Sequence, residues 1–171
     1  ESFFVDSGLT YDGAAATSLS GLTHLETENV SILTNGASHN SKVVSSGAVA
    51  LDISATKASV GLPYTSTLQT MRLEAGATDG TAQGKVKRID EATIRLFRTV
   101  NALVGGDTTT VDRIAFRSAA DSMDEPVPLF TGDKSIEMPS GFDQDGFVVV
   151  QQDLPLPMTL ISVIARAQTF D

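Results

Sequence analysis

Apolar residues recur along this chain at a spacing of two, in short runs punctuated by turn-forming residues, and that pattern predicts a β-protein. Residues 30–33 form a short β-branched run that ends at Asn35-Gly36, a pair suited to the positive φ angles of a tight hairpin turn. The return strand is expected either at 42–44 or after a polar loop over 37–41. Ser45-Ser46-Gly47 then reads as a turn, and in the alternating run that follows Val49, Leu51 and Ile53 fall on one face. Residues 58–62 form another short strand, closed by Pro63. Because a proline holds its predecessor extended and withdraws an N–H from any ladder, Gly61, Leu62, Pro63 and Tyr64 are expected to form a structural corner. The ring of Tyr64 is expected to cover the end of the core there.

A polar, Gly-rich stretch at 79–84 is the expected boundary between a first β-subdomain, 1–78, and a second, 85–171. Beyond it the stretch 91–104 fits two periods. Thr93, Leu96, Phe97, Val100, Leu103 and Val104 trace a helical stripe, whereas Ala92, Ile94 and Leu96 alternate with Thr93 and Arg95 as a strand would. Its β-branched and aromatic content favours the strand. Further strands are expected at 113–117, 127–130, 135–138, 147–151 and 159–165, with turns at 131–134 and 139–141. Strands spaced about eight to twelve residues apart with turn chemistry between them indicate sandwiches or barrels. The expected fold class is therefore mostly β, with short antiparallel strands in sandwich- or barrel-like modules and few or no helices.

Composition narrows the chemistry. The chain has 171 residues, enough for a self-sufficient core, and no cysteine, which excludes disulfides, thiolate metal sites and cysteine nucleophiles. Twelve basic residues against twenty-one acidic ones give a net charge of −9, unsuited to nonspecific nucleic-acid binding, which needs clustered cations to displace counterions. An acidic wall along a conduit for DNA stays compatible with that charge, since it repels the backbone instead of holding it. No run approaches the roughly 18 apolar residues of a membrane helix, so no membrane-spanning segment is expected. The opening Glu1-Ser2-Phe3-Phe4, with neither an initiating Met nor a signal-peptide pattern, reads like the middle of a longer chain.

Candidate chemistry is sparse. His24 and His39 stand in polar, turn-like surroundings and in no metal-binding spacing. Asp143-Gln144-Asp145-Gly146 offers carboxylates at a calcium-loop spacing, but the twelfth position of such a loop would be Leu154 where a Glu is needed, so a tight turn is expected. Asp121, Asp124 and Glu125, ahead of Pro126, read as a solvated loop in place of a paired-carboxylate glycosidase site. No nucleophile elbow and no phosphate-binding glycine loop is present. No catalytic, metal or cofactor site is expected, and the chain is not expected to be an enzyme. One basic cluster stands out: Lys85, Lys87, Arg88, Arg95 and Arg98. It is read either as the exposed face of a strand or as a contact to an acidic neighbouring subunit.

Several segments, taken in order, carry a resemblance. They are Leu22-Thr23-His24-Leu25-Glu26, then NVSILTNG over 29–36, then Val60-Gly61-Leu62-Pro63-Tyr64-Thr65-Ser66. Lys87-Arg88-Ile89 with residues 94–99, and Pro128-Leu129-Phe130-Thr131-Gly132-Asp133, continue the series. Pro139-Ser140-Gly141-Phe142 and Leu154-Pro155-Leu156-Pro157-Met158-Thr159 close it. Together they span about residues 6–166 and resemble the C-terminal region of tail nozzle or tail tube proteins of short-tailed bacteriophages. The resemblance implies a structural part of a phage virion, located in the tail: identical subunits in a ring, other tail proteins as neighbours, and DNA passing without specific binding. It carries no catalytic residues and no cofactor. The alternative is a β-rich module that recognises a host-surface glycan or receptor. The absence of Trp and the presence of only Tyr11 and Tyr64 weigh against sugar stacking. A depolymerase comes third, for want of catalytic residues.

Overall fold

The structure is a computed structural model and describes residues 4–74, 81, 84–138 and 141–170. The chain is mostly β. Its strands form three antiparallel sheets, and the one helical element among the described residues is a single 3-10 turn, Thr23–Leu25. The chain divides into two compact units, each built from three separated segments. Glu1–Thr65, Arg117–Pro128 and Asp153–Pro157 make the first, and Ser66–Phe116, Leu129–Gln152 and Met158–Asp171 the second. The first crossing thus falls between Thr65 and Ser66. Of the Gly-rich stretch 79–84, residues 79, 80, 82 and 83 lie outside the described residues, as do Pro139 and Ser140 of the turn expected at 139–141.

The first unit carries β1 (Asp6–Ser20), β2 (Asn29–Thr34), β3 (Ala37–Val43) and β4 (Ala48–Leu62), ordered β1-β4-β2-β3. Val30 and Ile32 alternate inward on β2, as the sequence pattern requires. Asn35 and Gly36 have φ of 47° and 87°, and Thr34 pairs with Ala37, so a two-residue hairpin turn joins β2 to β3. The return strand begins directly at Ala37, and the polar segment 37–41 is part of it instead of a loop. Asn35 Oδ1 accepts from the backbone N–H groups of Thr56 and Lys57 at 3.1 and 3.0 Å, which ties the turn to β4.

A second turn, Ser46-Gly47, also has two positive φ angles, 55° and 66°. Its N–H groups both donate to the Glu26 carboxylate at 2.7 Å. On β4 Val49 and Leu51 point into the core, but Ile53 is exposed. Between Ala16 and Ser18 of β1 the partners on β4 jump from Ala55 to Ala50, and the extra residues of this bulge turn Ile53 outward. Beyond the bulge Ala55, Ala58 and Val60 resume the inward face. With Leu19, Leu22, Leu25 and Val44 these residues make the apolar core of the unit.

The second unit is a two-layer sandwich. One sheet has the order β5-β10-β7-β8, from β5 (Ser66–Gln69), β7 (Leu103–Gly105), β8 (Val111–Arg113) and β10 (Val149–Gln152). The other has the order β11-β6-β9, from β6 (Val86–Thr99), β9 (Phe130–Glu137) and β11 (Leu160–Phe170). Ile94 and Leu96 of β6, Val104 of β7, and Val148 and Val150 beside and within β10 belong to one apolar cluster, so each sheet buries one face on the other. The stretch 91–104 is strand up to Thr99 and resumes at Leu103, with Ala92, Ile94 and Leu96 inward at period two.

Four further local expectations differ from the structure. Of the strand expected at 127–130 only Phe130 is in a strand, as the first residue of β9. Residues 113–117 do not form a strand; β8 ends at Arg113, and the Ile114 N–H donates to Ala102 O at 3.0 Å in an irregular segment. Thr131-Gly132-Asp133-Lys134 lies inside β9 and is not a turn. A Cβ on Gly132 would stand 3.2 Å from the Phe130 ring, so that glycine makes room for an aromatic ring lying across the strand. Tyr64 does not cover the core: it is 44% exposed, and Tyr11 is the tyrosine that packs on the core of the first unit. Tyr64→Ala is therefore expected to shift stability by no more than about 0.5 kcal/mol, the usual range for surface positions, as read by a urea midpoint.

The loop between β7 and β8 is held by Asp107. Its Oδ1 accepts from Thr109 N, Thr109 Oγ1 and Thr110 N at 2.7, 2.6 and 2.7 Å. These bonds, that from the Thr109 hydroxyl first, lower its pKa from 3.8 to about 2. A folded-state pKa below the unfolded one adds stability that is present above pH 3.8 and lost as the pH falls through about 2. Asp107→Asn is expected to be less stable than the parent at neutral pH, with the gap closing across that window. Thermal melts at stepped pH check this, and a gap constant down to the lowest pH counts against it.

Candidate functional site

The five cations singled out in the sequence lie on or beside β6, and strand parity separates them. Lys87 and Ile89 point inward; Val86 and Arg88 point outward. Lys87 is 1% exposed, its stem lies against Gly146, and its Nζ donates to Gln144 O at 3.2 Å. The backbones of Lys87 and Asp143 exchange both hydrogen bonds, at 2.6 and 2.7 Å. Lys87 thus props the 142–146 segment from beneath, and its ammonium occupies the carbonyl side of the turn. Lys85 is half-buried. Arg98 has a φ of 47° where the β6–β9 register shifts, and its N–H donates to Thr131 Oγ1 at 3.0 Å.

Arg88 and Arg95 remain on the outer face of the β11-β6-β9 sheet, and each has an acidic neighbour there. Arg88 Nε is 3.2 Å from Asp90 Oδ1, and Arg95 Nε is 3.2 Å from Asp133 Oδ1. A third pair, absent from the sequence reading, joins Arg166 of β11 to Glu91 of β6 at 3.0 Å. Thr93 and Ser135 hydroxyls share a hydrogen bond of 2.7 Å on the same face. These pairs make the face a mosaic of opposite charges, to which Glu137 of β9, exposed and opposite Glu91, adds a further carboxylate. Exposed pairs of this kind contribute about 0–1 kcal/mol each, so their effect on approach and register outweighs their effect on folding. Phe97, Ile161 and Ile164 are exposed alongside, at 47%, 59% and 63%. These three could not be picked out before β11 and β6 were paired, because their neighbourhood is set by register across sixty or more residues.

The other candidates are engaged in structural contacts. Asp145 pairs with Arg72 at 2.8 Å. Among the described residues no group of three or more His, Cys, Asp or Glu side chains is arranged to hold a metal ion. His24 Nε2 meets Ser7 O at 2.8 Å. His39 lies within β3 with its side chain only 5% exposed, and is not the surface turn residue expected. Its Nδ1 meets Asn40 O at 2.7 Å and its Nε2 meets Asp52 N at 2.9 Å, so both ring nitrogens are engaged. Lys42 Nζ, 2.6 Å from Asp52 Oδ1, is the main reason that carboxyl titrates below its ordinary range. Lys134 extends its Nζ over the rings of Phe130 and Phe116, 4.8 and 5.8 Å from their centroids.

A groove of about 190 Å³ in the first unit is lined by Leu9, Tyr11, Ser18, Leu19, Leu22 and Val60. Pockets for drug-sized ligands run from about 300 Å³ upward. No helix among the described residues is long and apolar enough to cross a membrane. Comparison with protein-family models and with curated proteins finds no match to this chain.

Proposed function

We propose that this chain is a non-catalytic structural module of a bacteriophage virion, part of a tail nozzle or tube through which DNA is delivered. The observation that carries the reading is the ordered series of segments over residues 6–166 that resembles the C-terminal region of such tail proteins. The fold supports it: antiparallel sheets with tied-down turns give rigid modules able to repeat in a closed ring. Several resembling segments fall at points where the frame is fixed. NVSILTNG is β2 with its hairpin turn, Val60-Gly61-Leu62-Pro63 ends β4, and Phe130-Thr131-Gly132-Asp133 opens β9. The subunits are identical and arranged in a ring, with other tail proteins as neighbours and DNA passing without specific binding.

Large aromatics, the usual interface anchors, are few, and a charge of −9 makes identical subunits repel. The isolated chain is therefore expected to be monomeric or weakly associated, and to assemble firmly only within its ring. Added salt shortens the reach of that repulsion, the Debye length being about 8 Å at physiological ionic strength. Light scattering of the chain, and of any longer protein that carries it, across salt concentrations tests this. Assembly of the longer protein into one closed species supports the reading; a strictly monomeric protein at every salt and concentration overturns it. A tight dimer of the isolated chain that also binds a glycan would favour the receptor-binding alternative.

A further inference from the structure

We propose that β11 is a docking edge for a second copy of the chain, whose own β11 adds antiparallel across a two-fold axis at Ile164. The proposal stands on the edge strand and is independent of any role in a virion.

Among the described residues β11 pairs with β6 alone, so its other side presents a row of unpaired N–H and C=O groups over 11 residues. Proteins blunt such edges with charges, prolines, bulges or shortness. The other edge strands show these devices. β3 carries Lys42 and a register shift against β2. β1 has three register shifts against β4, and β5 and β8 have 4 and 3 residues. β9 carries Asp133, Lys134 and Glu137. By contrast β11 carries one charge, Arg166, and no proline, while exposing Ile161 and Ile164. Its register with β6 shifts between Leu160 and Ser162 and again between Arg166 and Ala167, which leaves an unbroken stretch from Ser162 to Arg166 centred on Ile164.

The occupant follows from charge. Copies of a chain with net charge −9 repel wherever acidic surfaces meet. Beside β11 the cations Arg88, Arg95 and Arg166 are neutralised by Asp90, Asp133 and Glu91, and the remaining carboxylate of the face, Glu137, is on β9 at the opposite edge, so a copy approaches β11 without that cost. With the axis at Ile164, that side chain meets its own counterpart, an apolar cross-strand pair. Arg166 then faces Ser162 of the copy, and no like charges stand opposite each other. One added strand pair buries less than a standard interface, so the dimer is weak and forms at high concentration.

Sedimentation velocity of the chain over a concentration series tests this, with three variants. The parent is expected to shift from monomer toward dimer as concentration rises. Ile164→Lys and Ile164→Glu, at a position 63% exposed where folding is little affected, are each expected to weaken association by at least about tenfold. An equimolar mixture of the two is expected to regain it, because opposite charges then meet across the axis. Ile53→Lys, an exposed position on β4 of the first unit, is expected to associate like the parent. Circular dichroism melts confirm that each variant is folded, and Ile161→Lys replaces any that is not. A parent that stays monomeric at every concentration overturns the proposal. So does association of Ile164→Lys at parental strength, a mixture no stronger than either variant alone, or loss of association in Ile53→Lys.

Discussion

Leu96→Ala is expected to destabilise the chain by about 2–5 kcal/mol, read as a fall in the urea midpoint with little change in slope. Leu96 lies on β6, the middle strand of β11-β6-β9, and is fully buried. It faces Leu160 on one side and Gly132 on the other. Its neighbours in the cluster come from both sheets of the sandwich, and strands hydrogen-bonded on two sides cannot shift to close the space left by three missing carbons. The cavity therefore stays open and the cost lies toward the upper end of that range. Phe97→Ala, one residue on, is the contrast: that ring is on the outer face and 47% exposed, so the variant is expected to melt close to the parent. Equal losses at the two positions would show that the inward and outward assignments on β6 are wrong.

Gly61→Val is expected to cost about 1–3 kcal/mol or more, by overpacking against backbone that cannot yield. A Cβ at this position would stand 2.6 Å from Asp6 O and 2.7 Å from Gly8 Cα, and both are backbone atoms of the neighbouring β1. Relief requires β1 to move off β4, which breaks ladder pairing near Asp6↔Leu62 and Leu9↔Val60. The lesion should appear in hydrogen exchange as faster exchange of the β1 and β4 amides near that end. Gly61→Ala is expected to fall between the parent and the valine variant. An alanine variant as stable as the parent would mean that β1 accommodates the added atom, contrary to the close approach seen here.

The parts of this fold legible in the sequence are those fixed locally. The Asn35-Gly36 turn, the inward Val30 and Ile32, and the alternation Ala92, Ile94, Leu96 follow from side-chain period and turn chemistry within a few residues. Most of what was missed depends on pairing across long separations. β1 escaped notice because an edge strand with one exposed face has little apolar alternation: in Asp6–Ser20 only Leu19 is buried. Ile53 was misplaced by a bulge that exists only because β1 and β4 differ in length between Ala16 and Ser18. Gly132 suggested a turn because its space is used by a ring two residues away, not by a change in chain direction. The basic cluster looked like one patch because its residues are close in sequence, whereas parity buries Lys87 and leaves Arg88 and Arg95 outside. Asp90, the partner of Arg88, is two residues along the same strand, whereas the Arg95–Asp133 and Arg166–Glu91 pairs depend on the register of β9 and β11 against β6.

The role proposed for this β-module is that of a repeated structural part of a virion tail. Electron microscopy of the assembled protein tests it most directly, by classifying particles for rotational symmetry and by antibody labelling of this chain on phage particles. A closed ring around a central opening is expected, with label confined to the tail. Isolated monomers with no closed assembly, and label absent from the particle, would contradict it.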